Sequence, residues 1–318
     1  MKSLSRRDFL KIGSYLVAGY GLSGALTPVF ARGLEKLSHG TPKILWLEAQ
    51  GCSGCTVSFL NANAPYVQQV ITQIASIMFH PTISAAQGHV AWEILEDIKH
   101  SNFPYILVIE GSIPYKMPKA CMIGEKTFEE VAIPFLEKAQ YILAVGSCAS
   151  YGGIPSAEGN PTGAVSVKEF MEKKSIPYKN RLVNCPLCPT HPDSIVGTLG
   201  YLAAKGYPDV NDNLLTPKMF YAHSVHYNCP RYHYYEKGMF ARKFGEEGCL
   251  FKLGCLGPLS YTTCPRRQWN GGVNWCVRAN APCIGCSHPY FAKFKDFPFY
   301  RKGEKYHNVS YKEKDRKN

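Results

Sequence analysis

Eight residues between His226 and Cys286 are of types that bind transition metals: His226, Cys229, Cys249, Cys255, Cys264, Cys276, Cys283 and Cys286. They put seven of the chain's thirteen cysteines into 61 residues, interrupted by glycine, proline and aromatic side chains. Such a stretch reads as backbone wrapped around an inorganic site rather than as a hydrophobic core. Its sulfurs could hold each other, hold zinc, or hold iron–sulfur clusters.

Spacing sorts the candidates. His226-x-x-Cys229 with Cys249 and Cys255 makes a four-ligand set containing one imidazole, and Cys264, Cys276, Cys283 and Cys286 make a second set of four. Cys-x-x-Cys occurs at Cys52/Cys55, Cys185/Cys188 and Cys283/Cys286; residues three apart on a tight turn aim two thiolates at one centre. One such pair alone fits zinc, a redox dithiol or chance. Zinc could satisfy either C-terminal set, but explains poorly the thiols of the first half.

Those thiols follow strands. Lys43–Leu47, Tyr105–Ile109, Tyr141–Val145 and Arg181–Asn184 are short apolar runs leading into Cys52/Cys55, Glu110-Gly111-Ser112, Cys148 and Cys185/Cys188. Helical spacing lies between them, as over Pro65–Ile77. Continuous apolar strands separated by helices predict an α/β fold with a parallel sheet covered on both faces, and open sheets of this kind bind ligands beyond the carboxyl ends of their strands. From about Asp209 periodicity fades, predicting a second, mostly irregular unit. The expected division is 1–31, 42–207 and 208–318.

Residues 1–31 are read as an export signal. Ser5-Arg6-Arg7-Asp8-Phe9-Leu10-Lys11 is a twin-arginine pattern, an apolar run spans Ile12–Phe30, and Val29-Phe30-Ala31 offers a cleavage point after Ala31. Pro28 and four glycines within the run weigh against an uncleaved anchor. Removal takes away four positive charges and one negative, lowering the net charge from +12 to +9. The twin-arginine route carries folded proteins whose cofactors were inserted in a reducing cytosol. That context, with an odd number of cysteines, favours metal ligation over disulfides. After the signal no apolar run is long enough to span a bilayer. The basic segment Tyr300–Asn318 reads as a solvated tail or as a dock for an acidic partner or anionic membrane surface. No nucleic-acid partner is expected, and no nucleophile, general base or phosphate loop is evident.

Over its mature length the chain resembles the small, electron-transferring subunit of nickel–iron hydrogenases. The resemblance is carried by Gly51-Cys52-Ser53-Gly54-Cys55, Glu110-Gly111-Ser112, Gly146–Gly153, Asn160-Pro161-Thr162, Cys188-Pro189-Thr190-His191-Pro192-Asp193, the His226–Cys255 set, and Trp269-Asn270 through Cys286. It implies a flavodoxin-like sheet domain followed by an iron–sulfur domain, and three clusters in series. The proximal one would be 4Fe–4S on Cys52, Cys55, Cys148 and Cys188, and the distal one 4Fe–4S on His226, Cys229, Cys249 and Cys255. The medial one would use Cys264, Cys283 and Cys286. Many members have proline where this chain has Cys276, and a 3Fe–4S medial cluster; the fourth thiolate here predicts 4Fe–4S. Cys276, Phe79-His80-Pro81-Thr82 and Pro298-Phe299-Tyr300 resemble the nickel–iron–selenium branch.

Two cysteines are left over. Cys121 is expected to be structural, and Cys185 competes with Cys188, which is preferred because it opens the family's Cys-Pro-x-x-Pro pattern. His223 is the rival to His226, while His80, His191 and His233 are expected to pack or face solvent. Oxygen-resistant members carry extra cysteines where this chain has Gly54 and Gly153, so a conventional proximal cluster is expected. The implied partners are a large subunit with the nickel–iron site and a cytochrome or membrane acceptor subunit outside the cytoplasm. The competing readings are a wire subunit of a sulfur- or quinone-reducing complex and an exported zinc or disulfide module.

Overall fold

The computed structural model describes residues 42–293, except Ala64 and the side chains of Thr72 and Gln73. The export signal, its cleavage point, Pro298-Phe299-Tyr300 and the basic tail lie outside the described residues.

Strand β1 (Lys43–Glu48) runs to the turn at Cys52 and helix α1 (Gly54–Leu60). β2 (Ser76–Phe79) and α2 (Gly88–His100) follow, then β3 (Ile106–Glu110), α3 (Phe128–Lys138) and β4 (Tyr141–Val145). The first half closes with α4 (Gly146–Tyr151), α5 (Val167–Lys173), β5 (Leu182–Cys185) and α6 (Pro192–Lys205). All five strands pair in parallel in the order β2-β1-β3-β4-β5. This is the doubly wound order whose topological switch lies between β1 and β3. The helical spacing of Pro65–Ile77 is realised only as far as Ile74, because Ser76 and Ile77 pair with Lys43 and Ile44 at the sheet edge.

Successive strand residues point to opposite faces, and both faces are buried. Leu45, Leu107, Ile109 and Ile142 pack toward α2, α3 and α5 through Leu95, Phe128 and Phe170. Trp46, Val108, Leu143 and Val183 pack toward α1 and α6 through Phe59, Ile195 and Leu199. This two-sided burial is why the strands read as unbroken apolar runs. Phe170 is fully buried. Phe170→Ala is expected to cost about 3–5 kcal/mol, visible as an earlier urea midpoint in the helical circular-dichroism signal.

Beyond Lys205 no described helix exceeds five residues, and the only paired strands among the described residues are the hairpin of Val210–Asn211 with Thr216–Pro217. A small core of Val225, Ala241, Leu250, Trp275 and Val277 has cysteines packed around it. The two halves are tied where the Asn184 amide donates to the Leu215 carbonyl (2.8 Å), the Ser147 hydroxyl donates to the Cys286 carbonyl, and Lys293 Nζ donates to the Tyr151 carbonyl (2.8 Å). No described helix is long and apolar enough to cross a membrane.

Candidate metal centres

The first set gathers at the switch point. Ser53 sits in the left-handed region (φ 56°), turning the chain from β1 into α1 so that Cys52 stays exposed and Cys55 is buried. Cys148 lies in the first turn of α4 and Cys188 in the loop after β5. Gly146, at φ 88°, passes so close to Cys55 that a Cβ there would lie 2.6 Å from its sulfur. A Cβ on Gly153 would lie 2.7 Å from Cys148 Sγ. Burial, then the neighbouring Cys188, pushes Cys148 up to about 12. Cys55 is raised by burial, then by Glu110, with a smaller push from Cys148; Cys188 is raised by burial and by Cys52. Cys185 is turned away, fully buried beside Thr198 Oγ1 (3.4 Å), and burial raises it to about 12. The structure thus brings Cys188, and not Cys185, to the other three.

Two supports of this set left no spacing signal. Glu110, 3 % exposed at the end of β3, accepts from the Cys55 amide (2.8 Å), the Thr56 amide (3.2 Å) and Thr56 Oγ1 (2.6 Å). Burial raises its carboxyl, with the Thr56 bonds opposing. The Thr190 amide donates to Cys55 Sγ (3.5 Å). A carboxylate closing a buried-strand run was the available signal for Glu110. His80 lies 3.4 Å from Thr56 Oγ1, and burial lowers it to about 4.

Cys264, Cys276, Cys283 and Cys286 also form one electrostatic neighbourhood. Burial lifts Cys264 to about 11 with Cys276 adding to it, and Cys286 is raised by burial, then by Cys264, with Cys276 and Cys188 adding less. Cys283 is raised by burial, then by Cys255 and Cys286. Cys276 is the exposed member.

His226, Cys229, Cys249 and Cys255 line a single narrow recess that also receives Arg231. Tyr232 and Tyr235 stand edge-on to the His226 ring at 4.9 and 4.6 Å, and burial lowers its pKa, which favours the neutral form a ligand needs. His223 stacks instead on Tyr227 (5.4 Å) and does not line the recess. His80 and His191 are buried and His233 is exposed. Cys121 is half-buried against the sheet core.

The sets touch in series. Cys188 lies close enough to Cys286 to raise its pKa, and the Cys283 amide donates to Cys255 Sγ at 3.4 Å. All thirteen cysteines are free thiols. Among the described residues no three His, Cys, Asp or Glu side chains close on one point as a single ion requires. Four soft donors spread around a shared space suit a multi-atom cluster, and buried thiols suit a cationic centre that stabilises the thiolate.

Residues 221–300 match the C-terminal family of the NiFe/NiFeSe hydrogenase small subunit, and residues 52–202 match the NADH ubiquinone oxidoreductase 20 kDa subunit family. The periplasmic NiFeSe hydrogenase small subunit of Desulfomicrobium baculatum is 39 % identical over 94 % of this chain and 99 % of its own. The periplasmic NiFe hydrogenase small subunit of Solidesulfovibrio fructosivorans is 35 % identical over 94 % of each. The recombinant NiFeSe hydrogenase of Desulfovibrio vulgaris Hildenborough superposes with a TM-score of 0.76 at 39 % identity, over 83 % of this chain and 99 % of that one. The H2-activated enzyme of Dm. baculatum gives 0.74 at 37 %, over 82 % and 99 %. Sheet order, thiol placement and similarity over nearly the whole length agree: the chain belongs to the small subunits of nickel–iron hydrogenases, iron–sulfur proteins that pair with a large subunit in which catalysis takes place.

Proposed function

We propose that this chain is the electron-transfer subunit of a periplasmic uptake hydrogenase, exported already folded by the twin-arginine route. Bound iron–sulfur clusters supply one-electron carriers at three positions, linking hydrogen oxidation in the large subunit to a cytochrome or quinone-linked acceptor. Cys52, Cys55, Cys148 and Cys188 hold the proximal position, where exposed Cys52 faces the partner. Cys264, Cys276, Cys283 and Cys286 hold the medial one with four thiolates. His226, Cys229, Cys249 and Cys255 hold the distal one, and a neutral imidazole there makes the site less negative and easier to reduce. The Thr190 amide at Cys55 and the Arg231 charge beside Cys229 tune potentials through hydrogen bonding and charge.

The observation that carries this reading is the series of three four-ligand sets, the middle one hydrogen-bonded to one neighbour through Cys283 and Cys255 and within electrostatic reach of the other through Cys286 and Cys188. Relatives named periplasmic and the Ser5–Lys11 pattern support the location. Purified with its partner, the protein is expected to hold about twelve iron atoms in its clusters, about one more at the nickel–iron site, and about twelve acid-labile sulfides per small subunit, together with nickel. A colourless, iron-free, folded complex would sink the proposal. A dominant 3Fe–4S electron paramagnetic resonance signal in the oxidised protein would sink its four-iron medial site.

A further inference from the structure

The loop that carries Cys188 and the short helix that carries Cys264 are clamped together by side chains that ligate nothing. Asp193 Oδ2 meets Arg267 Nη1 at 2.8 Å, with side-chain exposures of only 15 % and 10 %. His191 Nδ1 accepts from the Asp193 amide (3.1 Å), so its Nε2 carries the proton and donates to the Gln268 carbonyl at 2.5 Å. Gln268 is held at φ 53° and ψ −168°, a backbone state that is costly for any residue with a Cβ. The His191 ring packs 4.9 Å from Trp269, and the Arg267 guanidinium lies 5.3 Å from the Phe220 ring. Asp193 and His191 sit at the start of α6, fourteen residues of helix packed under the sheet. Arg267 and Gln268 come three and four residues after Cys264, and His191 and Asp193 three and five after Cys188.

We infer that Asp193, Arg267 and His191 are positioning residues that register the medial ligand segment on the proximal one and thereby set the speed of electron passage across that gap; this rests on the function proposed above. A buried ion pair is a poor source of net stability, since desolvation offsets its Coulomb gain, but it fixes geometry strongly. Here the geometry fixed is the separation of two ligand-bearing segments, and transfer rates fall steeply with distance. The strained Gln268 backbone is what such a clamp would hold in place.

The test uses the whole complex carrying Arg267→Gln, Asp193→Asn or Arg267→Lys. Deuterium exchange into hydrogen, completed in the large subunit, is expected within about twofold of wild type for all three. Hydrogen-driven acceptor reduction is expected to fall severalfold in the Gln and Asn variants and to recover largely in the Lys variant. Iron and sulfide should be unchanged, amide exchange over Cys264–Gln268 faster, and the spin–spin broadening between reduced proximal and medial sites altered. Faster amide exchange with unchanged acceptor reduction would overturn the inference, leaving the pair a stabilising contact. Loss of iron from both the Gln and Asn variants would overturn it too, in favour of a role in assembly. An iron-free wild type would overturn the proposed function itself, a result distinct from either.

Discussion

Cys188→Ser in the assembled complex is expected to abolish hydrogen-driven acceptor reduction, whereas Cys185→Ser should leave it within about twofold. The two cysteines share one Cys-x-x-Cys motif but point apart. Burial, then Cys188, raises Cys148, and burial, then Cys52, raises Cys188, so the Cys188 sulfur lies among the first set. Cys185 is the last residue of β5, fully buried in the apolar layer under α6, and its sulfur lies by Thr198. Losing a polar partner of a metal ligand already costs about 10- to 100-fold, and losing the ligand itself should exceed that. A serine hydroxyl at 185 can still bond Thr198 Oγ1, at a cost of about 1 kcal/mol. Iron content read beside the rate decides the case: about four iron atoms lost for Cys188→Ser and none for Cys185→Ser. The reverse pattern would reassign the ligand.

Cys276→Ser is expected to convert the medial site. Three thiolates, Cys264, Cys283 and Cys286, would remain; these are buried or half-buried, while Cys276 is exposed. Water can reach the site at that corner, so the iron bound there is the one to be lost. The oxidised variant should show a 3Fe–4S resonance that the wild type lacks, and the medial potential should rise by on the order of 100 mV or more, since cluster type is a main determinant. The carrier would then sit at a higher potential than its neighbours, and electron passage should slow without loss of the complex. A variant spectrum identical to wild type would mean that Cys276 is no ligand.

The sheet was legible because buried parallel strands leave unbroken apolar runs, and Tyr141–Val145 is recovered to the residue. The break of the Pro65–Ile77 helix after Ile74 was not, since edge pairing with Ile44 overrode the local periodicity. The spatial grouping of these side chains was legible for a similar reason: His226-x-x-Cys229 and Cys283-x-x-Cys286 are local signals. What stayed hidden is long-range. Glu110 reaches Thr56 across 54 residues and Arg267 reaches Asp193 across 74, and no spacing rule connects such pairs. His191 was expected to pack or face solvent, and its bond to Gln268 depends on a backbone state that residue type does not announce.

The bond from the Cys283 amide to the Cys255 sulfur bears on how such a chain can be inherited. Removing the His226–Cys255 segment would strip that buried amide of its acceptor and leave Cys283 bordering a void, at the cost of an unmet donor. The outer two sites are therefore hard to shed one at a time and are best gained or lost as a block. Cys255 and Cys283 lie within one stretch of similarity: residues 52–202 match a family of quinone-linked oxidoreductase subunits, and 221–300 match one of hydrogenases. The seam between them runs through residues 203–220, where α6 ends and the hairpin begins. The chain thus reads as two units matched by different families, with both C-terminal ligand sets in the second of them.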